Sequence, residues 1–122
     1  MTDAQTLAQR YIATWNETDP AARRRLIDTL WTEDACYADP MMKAEGQAGI
    51  SALIGGVHGK FPGYRFALTG QPDGHGPYAR FSWTLAPADG QVIARGTDFA
   101  AVAPDGRLAQ VTGFLDQMPG AA

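Results

Sequence analysis

Three Asp-Gly pairs, Asp73-Gly74, Asp89-Gly90 and Asp105-Gly106, stand sixteen residues apart in the second half of the chain. Asp-Gly is a strong hairpin signal, because both residues tolerate the positive φ that a tight β-turn requires. The even spacing predicts a meander of four strands, at roughly 63–71, 76–86, 91–103 and 107–117. These exceed the usual strand of about 5–6 residues. Long strands twist and coil, so the sheet is expected to bend strongly.

The first half reads as helices. Leu7, Tyr11 and Trp15 recur every four residues, with Ala8 and Ile12 beside them, and Thr2 or Asp3 can cap the start. Asn16 to Asp19 interrupts the pattern. Asp19-Pro20 then opens a second helix, since Asp is a good N-cap and Pro suits the first helical position. Leu26, Ile27 and Leu30 form its apolar stripe, and Arg23-Arg24-Arg25 reads as a solvated face. Asp34 to Asp39 is expected as a short strand stopped by Pro40. Ile50, Leu53, Ile54 and Val57 lie at i, i+3, i+4, i+7 and predict a third helix over 46–59. The expected fold class is α+β, in one domain spanning 1–122: three N-terminal helices packed on a strongly curved antiparallel sheet. Such a sheet closed by helices makes a cone with one open mouth, a natural small-molecule pocket.

Composition narrows the function. Thirteen acids against ten bases give a net charge of −3, without the concentrated basic face that nucleic acid requires. The same balance gives no pull toward an anionic membrane. No apolar run approaches the ~18 residues of a spanning helix. The segment Met1 to Arg10 lacks the apolar region of a secretory signal, so a cytoplasmic address is expected. Cys36 is the only cysteine, which excludes an intrachain disulfide and a CxxC motif. The chain also lacks GxGxxG, GxxxxGK[ST] and GxSxG, the motifs of dinucleotide, phosphate-loop and hydrolase-elbow chemistry.

Strand parity singles out Asp98. Val92, Ala94, Gly96, Asp98, Ala100 and Val102 share one face of the third long strand, so an acid interrupts a row of small and apolar residues. If that row lines the concave side, desolvation raises the Asp98 pKa and favours the neutral acid, which can donate to a developing oxyanion. If it faces outward, Asp98 is solvated or braces a backbone amide. Tyr11, on the apolar stripe of the first helix, is either a core tyrosine or a hydroxyl aimed into the cavity. Asp39, just before Pro40, is either a turn residue or a carboxylate at the cavity rim acting as general base. His58 and His75 are seventeen residues apart, with no HxH or HExxH spacing, so no metal site is expected. His58 suits a helix C-terminus by the dipole, and His75 opens a strand where it could reach the pocket mouth. Ser51 and Ser82 have no neighbour that marks a nucleophile, and Cys36 reads as packed in its strand.

With this element order, several segments carry a resemblance. They are Gln9-Arg10-Tyr11, Trp31-Thr32-Glu33-Asp34-Ala35, Asp39-Pro40, Gly46 to Ile50, Gly96-Thr97-Asp98-Phe99 and Asp105-Gly106-Arg107-Leu108. From Leu7 to Gln117 the chain resembles the NTF2-like superfamily, in particular its SnoaL-like branch. The fold hosts enzymes and non-catalytic binders alike. Its ketosteroid isomerases carry an oxyanion-donating tyrosine in a Gln-Arg-Tyr, where Tyr11 falls. Their base is the Asp of a strand-ending Asp-Pro, where Asp39 falls, and a protonated Asp on the third long strand corresponds to Asp98. The isomerases support their catalytic tyrosine with others, one of them in the third helix, where this chain has Ile54. SnoaL-like polyketide cyclases use an Asp as acid/base with a His nearby, parts that Asp98 and His75 could play. Limonene epoxide hydrolase uses an Asp-Arg-Asp set, but Arg95 and Asp98 are three apart on one strand and face opposite sides.

The resemblance implies proton transfer on a small, largely apolar carbonyl compound. Asp39 would take a proton α to the carbonyl, and Tyr11 and neutral Asp98 would stabilise the enolate. The alternatives are a polyketide cyclase using Asp98 and His75, or a ligand-binding module in which Tyr11, Asp39 and Asp98 do not converge. The resemblance also implies a homodimer packed through the sheet, with outward aromatics of strands 76–86 and 107–117, and neither cofactor nor metal.

Overall fold

The computed structural model describes residues 3–117. Its elements are α1 (Ala4–Asn16), α2 (Pro20–Leu30), β1 (Trp31–Ala38), β2 (Lys43–Glu45), α3 (Gly46–Lys60), β3 (Tyr64–His75), β4 (Tyr78–Pro87), β5 (Ala94–Val102) and β6 (Leu108–Gln117). These six strands join one sheet in the order β2-β1-β6-β5-β4-β3.

The helix starts follow their capping residues. The Asp3 carboxylate accepts from the Gln5 backbone N–H at 3.1 Å and the Thr6 hydroxyl at 2.7 Å, satisfying an otherwise orphaned donor. Thr2, the other expected cap, lies outside the described residues. Asp19 accepts from the Ala22 N–H at 2.8 Å, with Pro20 at the first helical position. Leu7, Ala8, Tyr11, Ile12 and Trp15 of α1 are buried, as are Ile50, Ile54 and Val57 of α3.

Four expectations need correction. The sheet is mixed, because β1 runs parallel to β6, pairing Tyr37 with Val111 and Ala38 with Thr112. The short strand is longer than expected and begins at Trp31. Asp73-Gly74 is not a turn: β3 continues to His75, with Asp73 opposite Arg80 and His75 opposite Tyr78. The reversal falls on Gly76-Pro77, where Gly76 takes the φ of +54° that glycine adopts without steric cost. The arginine run divides as well. Arg24 and Arg25 are exposed, whereas Arg23 is only 5% exposed. Its guanidinium donates to the Ser51 hydroxyl at 3.2 Å and the Glu17 carbonyl at 3.0 Å, and lies 3.4 Å from His58 Nδ1. His58 Nε2 lies 2.6 Å from the Trp15 carbonyl. Arg23 and His58 thus serve carbonyls that α1 leaves open at its C-terminal end, and bind three helices together.

Asn16 ties α1 to β3 through both amide groups: it donates to the Phe66 carbonyl at 2.9 Å and accepts from the Phe66 N–H at 2.8 Å. The helices cover one sheet face. On it, Ala79, Phe81 and Leu85 of β4, Ala94, Asp98 and Ala100 of β5, and Leu108 and Val111 of β6 are buried. Asp98 therefore belongs to the inward row, and Arg95 is exposed, as alternation requires. Tyr78, Phe99 and Phe114 are exposed on the opposite face, with Tyr78 and Phe99 stacked at 5.5 Å. Register irregularities interrupt β3 between Thr69 and Asp73 and β5 between Arg95 and Gly96. Such bulges bend and twist a strand.

Candidate active site

A small cavity of about 100 Å³, open at one side, lies between the helices and the sheet. Tyr11, Trp15, Tyr37, Phe61, Phe66 and Trp83 supply its aromatic wall, and Met41 and Met42 lie at the Asp39 end. Asp39 and Asp98 are its two carboxylates, and among the described residues no Lys, Arg or His lines it. An anionic ligand meets no counter-charge from them.

Three of the four candidate residues meet in this cavity. Asp98 is 2% exposed. Its Oδ2 accepts the Tyr11 hydroxyl at 2.6 Å, and its Oδ1 accepts the Trp83 indole N–H at 3.1 Å. Asp39, half-buried at the end of β1, accepts the Met41 and Met42 backbone N–H groups on Oδ1, each at 2.8 Å. Its Oδ2 accepts the Tyr37 hydroxyl at 2.6 Å. Asp39 therefore is a turn-bracing residue and a cavity-lining carboxylate at once. His75 is not brought in. It is exposed at the end of β3, edge-on to the Tyr78 ring at 5.9 Å, and does not line the cavity.

The two carboxylates sit on either side of Gly113, which pairs with Asp98 across the β5–β6 ladder. A Cβ at Gly113 would stand 2.9 Å from Asp98 Oδ1, 3.3 Å from Asp39 Cβ and 3.4 Å from the Tyr37 oxygen. Gly96 does similar service for Trp83. A Cβ there would fall within the indole ring and 2.9 Å from the Phe114 carbonyl oxygen. The bare glycine lets the ring lie flat on β5 and present its N–H to Asp98.

Burial pushes the Asp98 carboxyl up to about 6, against the hydrogen bonds from Tyr11 and Trp83, which favour the charged form; the charges of Asp39 and Asp116 add to the rise. The direction is the one expected of a carboxyl withdrawn from water. Both donors aim at a carboxylate. Tyr11 is held well above the ordinary phenol range by burial and by the Asp98 charge, and Tyr37 is raised by burial, Asp98 and its bond to Asp39. The site thus presents two carboxyl groups, each receiving a tyrosine hydroxyl.

Tyr37 and Trp83 are functional candidates that the sequence reading passed over. Parity could have found both. Tyr37 lies two residues before Asp39 on the same strand face, and Trp83 shares its face of β4 with Phe81 and Leu85.

The comparisons with known proteins agree with this architecture. The model of the SnoaL-like domain matches residues 8–111. A candidate isomerase of the SnoaL-like family from Agrobacterium tumefaciens strain C58 is 51% identical, with TM-score 0.91 over 95% of this chain and 99% of that one. A candidate SnoaL-like polyketide cyclase from Jannaschia superposes with TM-score 0.70 at 15% identity, over 95% of this chain and 90% of that one. An NTF2-like protein of unknown function from Exiguobacterium superposes with TM-score 0.71 at 22% identity, over 90% and 98% of the two chains. The last two likenesses concern the fold alone. Among curated proteins, none matches.

Proposed function

The chain belongs to the SnoaL-like domain family, and from that premise we propose that it is an enzyme of enolisation, acting on a small, apolar, uncharged carbonyl compound. One observation carries this reading: a buried carboxylate, Asp98, lines an apolar cavity with a tyrosine hydroxyl on one oxygen and an indole N–H on the other. Its pKa of about 6 suits a general base working near neutrality, where proton acceptance and correct ionisation are both favourable.

In this mechanism Asp98 takes the proton α to the carbonyl. The C–H pair moves into the enolate, and negative charge gathers on the carbonyl oxygen. Protonation weakens Asp98 as an acceptor, so the Tyr11 hydroxyl turns from it toward that oxygen. Asp98 then returns the proton. Delivery to a different carbon is isomerisation; attack of the enolate on a second carbonyl, with delivery to the new alkoxide, is cyclisation. Both outcomes share the first step and require no histidine, in keeping with His75 lying outside the cavity. The A. tumefaciens relative, a candidate isomerase, supports the first outcome.

A second reading keeps Asp39 as the base, with neutral Asp98 and Tyr11 as oxyanion donors. It is favoured by the place of Asp39 on the cavity wall. Its carboxylate, however, already receives three hydrogen bonds, which occupy lone pairs a base would use. The pH dependence separates the two. The measurement is deuterium exchange at the α-carbons of a panel of ketones, including β,γ-unsaturated ones whose conjugated products absorb in the ultraviolet. With Asp98 as base, the rate rises as pH climbs through about 6 and then levels. With neutral Asp98 as donor, it falls over the same interval. Exchange no faster than in buffer across the panel would overturn both and leave a ligand-binding module.

The same reading gives the outer sheet face, where Tyr78, Phe99 and Phe114 are exposed, to a second copy of the chain. Light scattering is expected to return the mass of two chains, and Phe114→Glu the mass of one. A parent protein that scatters as a single chain would remove this assignment.

A further inference from the structure

Trp15 carries an unused donor. The side chain is 5% exposed, and its Nε1 is buried without an acceptor among the described residues. An unpaired buried N–H costs about 1–3 kcal/mol. A phenylalanine would fill much of the same apolar space without that cost. Trp15 lies one helical turn after Tyr11 on α1, and the two rings stand 6.2 Å apart at 47°. Both line the cavity.

Tyr11 gives its proton to Asp98 and, among the described residues, has no donor of its own within hydrogen-bond distance. Its oxygen therefore has lone pairs to offer, beside an indole N–H with nothing to bind. An indole donor so placed favours the ionised form of Tyr11, a smaller influence than burial and the Asp98 and Tyr37 charges, which all raise its pKa. Ile54, at the third-helix position expected to carry a supporting tyrosine, is apolar and fully buried, and offers Tyr11 no donor.

We propose that Trp15 is a positioning residue that donates its indole N–H to the Tyr11 oxygen whenever that oxygen gains negative character, forming a chain from Trp15 through Tyr11 to Asp98 or to a ligand oxygen. In the ligand-free protein the demand is set by Asp98, and it grows as that carboxyl ionises and draws on the Tyr11 proton. When Tyr11 donates to an oxyanion, its own oxygen becomes more electron-rich and the indole closes on it. Each bond in such a chain strengthens the next. The role in turnover rests on the enolisation reading; the chain itself does not.

The test uses the three indoles as reporters on the ligand-free protein. The titratable groups facing Asp98 are Tyr11 from α1, Tyr37 and Asp39 from β1 and its end, and Asp116 from β6. Asp98 is the one among the carboxylates whose pKa is raised to about 6. Indole ¹⁵N–¹H spectra from pH 4.5 to 8 are expected to show Trp83, bonded directly to Asp98, and Trp15 titrating together near 6. Trp31, whose Nε1 also lacks an acceptor and whose ring stands 5.9 Å from Tyr11, lies outside the cavity and is expected to stay still; a Trp31 signal that moves while Trp15 does not would overturn the assignment of the donor to Trp15. In Tyr11→Phe, Trp83 continues to titrate and Trp15 stops. A Trp15 signal that is flat in the parent, or that titrates unchanged in Tyr11→Phe, would overturn the chain.

Trp15→Phe gives a second measurement that is independent of how well Tyr11→Phe folds. Loss of the N–H weakens Tyr11 as a donor, so the Asp98 midpoint, read at Trp83, is expected to rise by about half a pH unit, roughly threefold in its ionisation constant. An unchanged midpoint argues against the proposal. Where turnover is found, the same variant lowers kcat several-fold with little change in KM, because the bond strengthens only as charge develops. A loss confined to KM would mark Trp15 as packing alone. The titration needs no substrate, so it stands or falls apart from the enolisation reading.

Discussion

Asp98→Asn is expected to slow α-proton exchange by about 10²–10⁴-fold, the usual contribution of a positioned general base. The amide keeps the shape of the carboxyl and fits the same two neighbours, but it cannot take the proton. Asp39→Asn is expected to cost much less, because its carboxylate spends its lone pairs on two backbone amides and Tyr37. The reverse ranking would return the base to Asp39. Asp98 also bears on stability. Its folded pKa of about 6 lies above its ordinary 3.8. Between these values the folded protein binds the proton more tightly than the unfolded chain does. Stability from this group is therefore fully present below about pH 3.8 and is lost as pH rises toward 6. A rise of that size corresponds to about 3 kcal/mol. Asp3 and Asp105, whose pKa values are lowered, act in the opposite direction, so the comparison must be made against Asp98→Asn. Urea unfolding at pH 4 and pH 7 is expected to show the parent losing stability relative to the variant on going to the higher pH. A difference that does not change with pH would contradict the buried environment assigned to Asp98.

The second large effect is expected at Gly96. A methyl group there collides with the Trp83 indole and approaches the Phe114 carbonyl to 2.9 Å. Backbone cannot yield as a flexible side-chain tip can, so the ring must leave. Overpacking of this kind costs about 1–3 kcal/mol. Expulsion of Trp83 also removes a donor from Asp98, whose pKa then climbs above 6 and whose ionised fraction at neutral pH falls. Gly96→Ala should lower the melting temperature and shift the activity profile to higher pH together. Trp83→Phe in the parent separates the two effects, since it removes the donor with far less steric conflict. A Gly96→Ala protein with the parent's Trp83 indole resonance and midpoint would show that the ring is not seated on the glycine.

Much of this site was legible because β-strand parity is a strict rule. One acid in the row Ala94, Gly96, Asp98, Ala100 had to face inward or outward with its neighbours, and only the helices covering that face settle it as inward. The cap at Asp19 was equally plain, and the first cap was narrowed to Thr2 or Asp3, since each places an acceptor where helix N–H groups have none. The misreadings have physical sources. Asp73-Gly74 has turn chemistry, but a glycine-proline pair two residues later also reverses the chain, and pairing through Asp73–Arg80 and Gly74–Ala79 settles the competition. Arg23 looked like its neighbours in a basic run; only the arrangement of three helices gives it acceptors inside. The parallel place of β1 leaves no local trace, because nothing near Tyr37 in sequence announces Val111 as its partner. The degree of Asp98 ionisation likewise depends on Trp83 and Asp39, which reach it from other strands.

The union of β1 with β6 also governs the order in which the molecule can assemble. Residues 31–38 meet residues 108–112 across some seventy intervening positions, so this contact carries the loop-closure cost of most of the chain. Until β6 is in place, β5 has a bare edge and the β1–β2 ribbon has no sheet to join. Open edges of that kind invite pairing between molecules. Asp39 approaches Asp98 only across Gly113, a residue of β6. Closure of the sheet and creation of the paired carboxylates are therefore one event, and a nascent chain without β6 lacks the site in kind and not merely in degree.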